Sequence, residues 1–195
     1  FRALGIDPVQ VAFPKQVHGT AVRAVNQGGS FEACDALVTE REGVFLAVSI
    51  ADCLPAFLYD PHRQAVAAVH AGWRGSKGRI LAAAVSLLAS LHGSRPADLL
   101  AYLGPSAGPC CYEVGEEVAA EFEEAFIQRE TGPRPHLDLK AYNRHLLIDA
   151  GVPASQIEVS SACTICGEAL FHSYHRDGQA SGRMLGVIGR ANDPS

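Results

Sequence analysis

A chain of 195 residues that is 48% hydrophobic and 19% charged has enough apolar surface for a substantial core, which excludes a peptide scaffold or a disordered tail. Sixteen basic against 21 acidic residues, a net charge of −5, argue against sequence-independent nucleic-acid binding, which needs an excess of Lys and Arg. The longest apolar stretches, 44–51 and 80–91, fall short of the roughly 20 residues of a membrane span, so no membrane partner is expected.

The chain opens at Phe1 without a methionine, and an upstream segment is expected to have been lost. Apolar runs at 21–25, 36–39, 44–50, 56–59, 65–69, 99–103, 157–160 and 184–188 predict strands, several of them buried on both faces. Three helices are expected between them. Residues 80–91 are rich in Ala and Leu and close at Gly93, a natural left-handed C-terminal residue. Residues 115–130 open with Glu116 and Glu117 and place Val118, Phe122 and Phe126 four apart on one face. Asp138 caps a third helix lined by Leu139, Tyr142 and Leu146, which Gly151-Val-Pro153 ends. Asp177-Gly178, between 171–175 and 183–188, predicts a hairpin turn. The fold class is therefore α/β (mixed α+β), a layered sandwich of helices on mixed β-sheets in one domain over residues 1–195, with the strand order open.

Residues suited to chemistry follow the strands. The runs at 44–50 and 65–69 lead into Ala51-Asp52-Cys53 and His70-Ala-Gly-Trp-Arg-Gly75, and His18 precedes the strand at 21–25. Neutral imidazole and thiolate suit zinc, and three protein ligands with an open position mark a catalytic site. Asp52, a charge between two apolar runs, needs a partner or a task, either proton transfer or orientation of its neighbours, and could equally cap a turn. Gly72-Trp-Arg-Gly75 between a strand and a helix is either an anion cradle of free N–H groups with Arg74 and Lys77 or a solvent-exposed tight turn. The Gly-rich turn 103–112 is a candidate pocket wall.

The six cysteines, Cys34, Cys53, Cys110, Cys111, Cys163 and Cys166, are read as reduced, which implies a cytoplasmic protein. Cys163-Thr-Ile-Cys166 lacks a second CxxC or a nearby His pair and is read as packing. His62, His92, His136 and His145 are expected to be solvated. Pro109-Cys-Cys111 lacks the His-x-Glu of pyrimidine deaminases.

In order along the chain, Lys15-Gln-Val-His-Gly-Thr20, Asp35-Ala-Leu-Val-Thr39, Ala51-Asp-Cys-Leu-Pro55, Ala68-Val-His-Ala-Gly-Trp-Arg-Gly75, Gly104-Pro-Ser-Ala-Gly-Pro-Cys-Cys-Tyr-Glu-Val-Gly115 and Ser181-Gly-Arg183 resemble the bacterial laccase-domain family. Its members were first called polyphenol oxidases and are now assigned purine nucleoside phosphorylase and adenosine deaminase activity. The resemblance implies a zinc site of His18, Cys53 and His70, with copper the metal suggested by the older name. It implies phosphorolysis of adenosine, inosine and S-methyl-5′-thioadenosine and deamination of adenosine. The partners are then purine nucleosides and inorganic phosphate, with Arg74, Gly75 and Gln16 as the residues that hold phosphate or substrate. The family usually opens with a further segment that is not found before Phe1. At the tail, Phe171-His-Ser-Tyr-His-Arg176 stands where the family more often has Phe-Phe-Ser-Tyr-Arg-Arg, so His172 and His175 replace an apolar and a basic residue. Two rival readings are a cysteine hydrolase acting on a cell-wall precursor amide, with Cys53 as nucleophile and His70 as base, and a copper-dependent phenol oxidase. A third is a zinc-stabilised module whose fourth ligand is Cys163 or Cys166.

Overall fold

In the computed structural model, which describes residues 1–130 and 132–191, the apolar runs pair into two main sheets. In chain order the elements are β1 (Val11–Pro14), β2 (Val22–Ala24), β3 (Gly29–Phe31), β4 (Ala36–Thr39), β5 (Phe45–Ile50), β6 (Leu54–Asp60) and β7 (Ala65–Ala71). Helices α1 (Trp73–Lys77) and α2 (Ile80–His92) follow, then β8 (Leu100–Leu103), α3 (Glu116–Ala119) and the short pair β9 (Ile127–Gln128) and β10 (His136–Leu137). The chain continues through α4 (Leu139–Asp149), β11 (Ile157–Val159), α5 (Tyr174–Asp177) and β12 (Met184–Gly189). One sheet has the order β11-β8-β6-β7-β4-β2 and the other β12-β5-β1-β3, and both mix parallel and antiparallel pairs.

Strand periodicity explains the layering. Along β7, Ala67 and Val69 join the core under α2 and α4, with Leu54, Ala56 and Leu58 of β6 and Ile80, Leu81 and Leu88 of α2. The alternate residues Val66 and Ala68 pack against Ala12, Leu46 and Val48 of the smaller sheet. Every residue of β7 is buried, as a strand sandwiched between helices and a second sheet requires. The same alternation puts His70 on the side of Val66 and Ala68, facing the smaller sheet. Each fully buried Leu or Ile of α2 contributes about 1.5–3 kcal/mol to holding the helix down.

The expected strands are present, as are the helices at α2, closed by Gly93 at φ 67°, and α4, capped by the Asp138 side chain accepting from Ala141 N–H. Two expectations fail. The helix foreseen over 115–130 stops at Ala119, because Ile127 is drawn into pairing with Leu137 and Phe126 C=O accepts from Asp138 N–H. Phe122, buried, and Phe126, half-buried, still pack on the core by meeting the Tyr142 ring edge-on. No hairpin forms at Asp177-Gly178: Ser173 caps the short α5 by accepting from Arg176 N–H, and β12 pairs with β5 instead. Strands β1 and β3, with four and three residues paired to neighbours in the small sheet, were not foreseen. No helix among the described residues is long and apolar enough to cross a membrane.

Candidate active site

Asp35, wholly buried at the entry to β4, organises the first part of the site. Its carboxylate accepts N–H bonds from Val17 (3.1 Å), His18 (2.9 Å) and Gly19 (2.7 Å), and its Oδ1 lies 2.8 Å from His70 Nδ1. Three convergent N–H donors bend the chain after β1 tightly enough that His18 sits at φ 58°, a conformation that costs a non-glycine residue and recurs at functional sites. The His70 contact fixes the ring as the Nδ1–H tautomer and leaves Nε2 as its free nitrogen. One carboxylate therefore places two imidazoles, whose rings meet edge-on with centroids 4.9 Å apart.

Cys53 completes the group: one donor atom each from His18, Cys53 and His70 lies within 4.8 Å of the others. Space is kept for them by Gly72, where a Cβ would come 3.1 Å from Cys53 Sγ and 3.3 Å from the His18 ring. Burial pushes the Cys53 thiol up, but hydrogen bonds to His18 and His70 outweigh it and bring the pKa down to about 7. Burial likewise opposes a charge on His70, and the hydrogen bonds to Asp35 and then Cys53 raise it to about 9. The metal-free pair thus favours thiolate and imidazolium.

Asp52, at φ 83°, uses its carboxylate differently. Oδ1 accepts from the Thr164 hydroxyl (2.6 Å), and Oδ2 from the Ser173 hydroxyl (3.0 Å) and His175 N–H (2.8 Å). Its C=O accepts from Ala107 N–H. Asp52 thereby ties three remote segments to the residue next to Cys53.

These groups surround a cavity of about 500 Å³, within the range of small-molecule sites. Beside the cluster it is walled by Trp73, Arg74, Tyr112, Tyr174, His175 and Arg183. The Arg74 guanidinium stacks over the Trp73 ring at 4.2 Å, and Arg183 lies 5.8 Å from the Tyr174 ring centroid. Among the described residues neither guanidinium has a carboxylate within 4.0 Å. The Tyr112 phenol, edge-on to His175, is pushed well up by burial and then by the nearby Cys53 and Asp52 charges.

The remaining expected residues divide. Gln16 reaches the cavity, and its amide is paired with the Ser49 backbone, donating to C=O and accepting from N–H, both at 2.8 Å. Gly75 does not line the cavity; it lets α1 approach the His18 turn, since a Cβ there would lie 3.0 Å from Gly19 C=O. Lys77 turns away to Glu121. Asp35, Tyr112 and Arg183 had no role assigned from sequence, although Asp35 carried the signal used for Asp52, a charge at the edge of an apolar strand. His136 is buried, with Nδ1 2.7 Å from Pro109 C=O, rather than solvated. Cys163 and Cys166 do not join His18, Cys53 and His70; they meet Cys110 and Cys111 elsewhere.

Residues 1–191 match the family described as multi-copper polyphenol oxidoreductase laccase. The chain belongs to that family. It is 44% identical over 190 residues to the purine nucleoside phosphorylase of Deinococcus radiodurans, covering 96% of this chain and 73% of the relative. It is 36% identical over 204 residues to adenosine deaminase RL5 from an unknown prokaryotic organism, covering 96% and 78%. The crystal structure of YlmD from Geobacillus stearothermophilus superposes with a TM-score of 0.91 at 37% identity, covering 98% of this chain and 77% of that one. The layered architecture is that of this laccase-like family.

Proposed function

We propose that the chain is a zinc-dependent purine nucleoside phosphorylase that also deaminates adenosine in the same cavity. The observation that carries the reading is the convergence, in one cavity of about 500 Å³, of the His18–Cys53–His70 cluster and two guanidiniums that have no carboxylate partner among the described residues. Relatives named as phosphorylases and as a deaminase support both activities. The substrates proposed are adenosine, inosine and S-methyl-5′-thioadenosine.

The donor set fits zinc: two imidazoles and one thiolate, with no fourth His, Cys, Asp or Glu in the group among the described residues, match a three-ligand catalytic site. A copper centre of the two-His, one-Cys type takes an axial Met, but the single methionine, Met184, lies on β12 and does not line the cavity. Zinc held there supplies a Lewis acid and makes water a competent nucleophile near neutral pH.

The chain's own groups do the rest. Arg74 and Arg183 hold phosphate and offset its charge. A phosphate oxygen forms a bond to C1′ as the C1′–N9 bond breaks, and the electron pair leaves on the purine, which takes up a proton. The Tyr112 phenol, kept protonated, donates a hydrogen bond to the departing base. Trp73 and Tyr174 supply flat apolar faces with little rotamer entropy to lose, suited to a nucleoside. In deamination water adds at C6 and ammonia departs, with no phosphate required. Asp52 acts as a positioning residue, because both its oxygens are occupied by the cavity wall, and Gln16 pins the His18 turn to β5.

Replacing Arg74 or Arg183 by Ala tests the assignment. Each lost charge-assisted contact is expected to lower kcat/KM for phosphate about 10–100-fold, while inosine formation from adenosine changes little. Equal losses in both reactions would show that the guanidiniums do not serve phosphate.

A further inference from the structure

Four thiols lie together outside the cavity. Cys110 and Cys111 sit in the loop after β8, Cys163 and Cys166 in the loop after β11, and all four sulfurs fall within 4.8 Å of one another. The Cys110 and Cys166 sulfurs are 3.8 Å apart. Zinc–thiolate bonds of about 2.3 Å in a tetrahedron put neighbouring sulfurs about 3.8 Å apart. All four cysteines are free thiols, and Cys110 and Cys166 are exposed, so burial of small apolar side chains does not account for the grouping.

The backbone is arranged around the sulfurs. Ser106 and Cys163 form a parallel bridge, Thr164 N–H donates to Ser106 C=O, and Gly108 N–H donates to Cys163 Sγ at 3.3 Å. Gly108 is needed for this approach, since a Cβ there would lie 3.2 Å from Cys163 Cβ and 3.4 Å from Cys110 Sγ. Four thiolates around a divalent ion leave two negative charges, and the surroundings answer them. The Lys140 ammonium is buried, donates to Ser160 C=O and Ala162 C=O, and has no carboxylate within 4.0 Å among the described residues. It shares a surface depression with Cys110 and Cys163.

We propose that Cys110, Cys111, Cys163 and Cys166 bind a second, structural zinc ion, independent of the cavity cluster. Binding releases one proton from each thiol and leaves a closed four-sulfur site with no open position. The ion clamps the two loops together at the back of the cavity: Cys111 adjoins Tyr112 in the cavity wall, and Cys163 adjoins Thr164, whose hydroxyl holds Asp52. Thiol packing was the expectation for Cys163 and Cys166 alone; the partner pair, Cys110 and Cys111, is remote in sequence and carries no CxxC spacing.

The test is zinc stoichiometry on the whole chain, purified under reducing conditions without chelator, for wild type, Cys53→Ser, the double variant Cys110→Ser/Cys166→Ser, and all three changes together. Two zinc ions per chain are expected in wild type, one in Cys53→Ser, one in the double variant and none in the triple. Cobalt loaded into Cys53→Ser should show intense thiolate-to-cobalt charge transfer, and the double variant should lose on the order of 10 °C in melting midpoint. Zinc-free Cys53→Ser protein whose five remaining thiols all titrate after denaturation overturns the proposal, as does a mass showing a disulfide among the four. If the double variant does not fold, the cobalt spectrum and zinc content of Cys53→Ser decide alone: a spectrum without thiolate charge transfer overturns the proposal.

Discussion

Asp35→Asn is expected to lower the affinity of the cavity cluster for zinc about 10–100-fold and to destabilise the protein by about 3–5 kcal/mol. The carboxylate is wholly buried and accepts from three N–H groups and the His70 ring. An amide of the same size offers one acceptor and turns an NH2 group toward donors, which leaves buried N–H groups unpaired. The His18 turn, held at φ 58°, loses what over-determines it, and His70 loses the partner that sets its tautomer. Metal titration and thermal melts read the two effects separately.

The same substitution should change the pH dependence of metal-free stability, and the sign follows from the two shifts. Burial opposes ionisation of Asp35, but the bonds from His70, Gly19 and Val17 hold its pKa below the usual carboxylate value. Its contribution is therefore present above about 3.9 and lost as pH falls through the lower folded value. His70 is raised to about 9, so its contribution is full below about 6.5 and lost as pH rises through about 9. Metal-free wild type should be most stable between these limits, and Asp35→Asn should flatten both limbs. Unchanged limbs would show that the pair does not carry them.

Asp52→Ala is the second large effect. It removes the acceptor for the Thr164 and Ser173 hydroxyls and for His175 N–H, and each buried donor left unpaired costs about 1–3 kcal/mol. Melting should fall by on the order of 10 °C, with loss of kcat/KM in phosphorolysis and deamination alike, because Tyr174, His175 and Arg183 all reach the cavity from the tail that Asp52 anchors. Asp52→Asn separates positioning from proton transfer. A positioning role predicts a lowered melting midpoint with the pH–rate profile kept in shape. An unchanged midpoint with a lost limb of that profile would assign Asp52 to moving a proton.

What could be read from sequence follows from how local each signal is. The strands β4 and β7 are continuous apolar runs because both faces are buried, β5 and β6 nearly so, and α2 and α4 carry their own stop and cap in Gly93 and Asp138. His18, Cys53 and His70 stand out because each lies at or near the end of an apolar run, where a rigid element can aim a side chain. The failures are tertiary. The segment from Gly115 has helical spacing, yet the pairing of Ile127 with Leu137 overrides it. Asp177-Gly178 has turn chemistry, but the partner of β12 is β5, far away in the chain. The gathering of Cys110 and Cys111 with Cys163 and Cys166 depends on β8 and β11 lying side by side, which no local pattern encodes.

The most direct test of the central claim is the product of adenosine with zinc-loaded protein, with and without phosphate, for wild type and Cys53→Ala, resolving adenine, inosine and hypoxanthine. Phosphate-dependent adenine together with phosphate-independent inosine, both lost in Cys53→Ala, is the predicted result. No purine product under any condition would contradict the account.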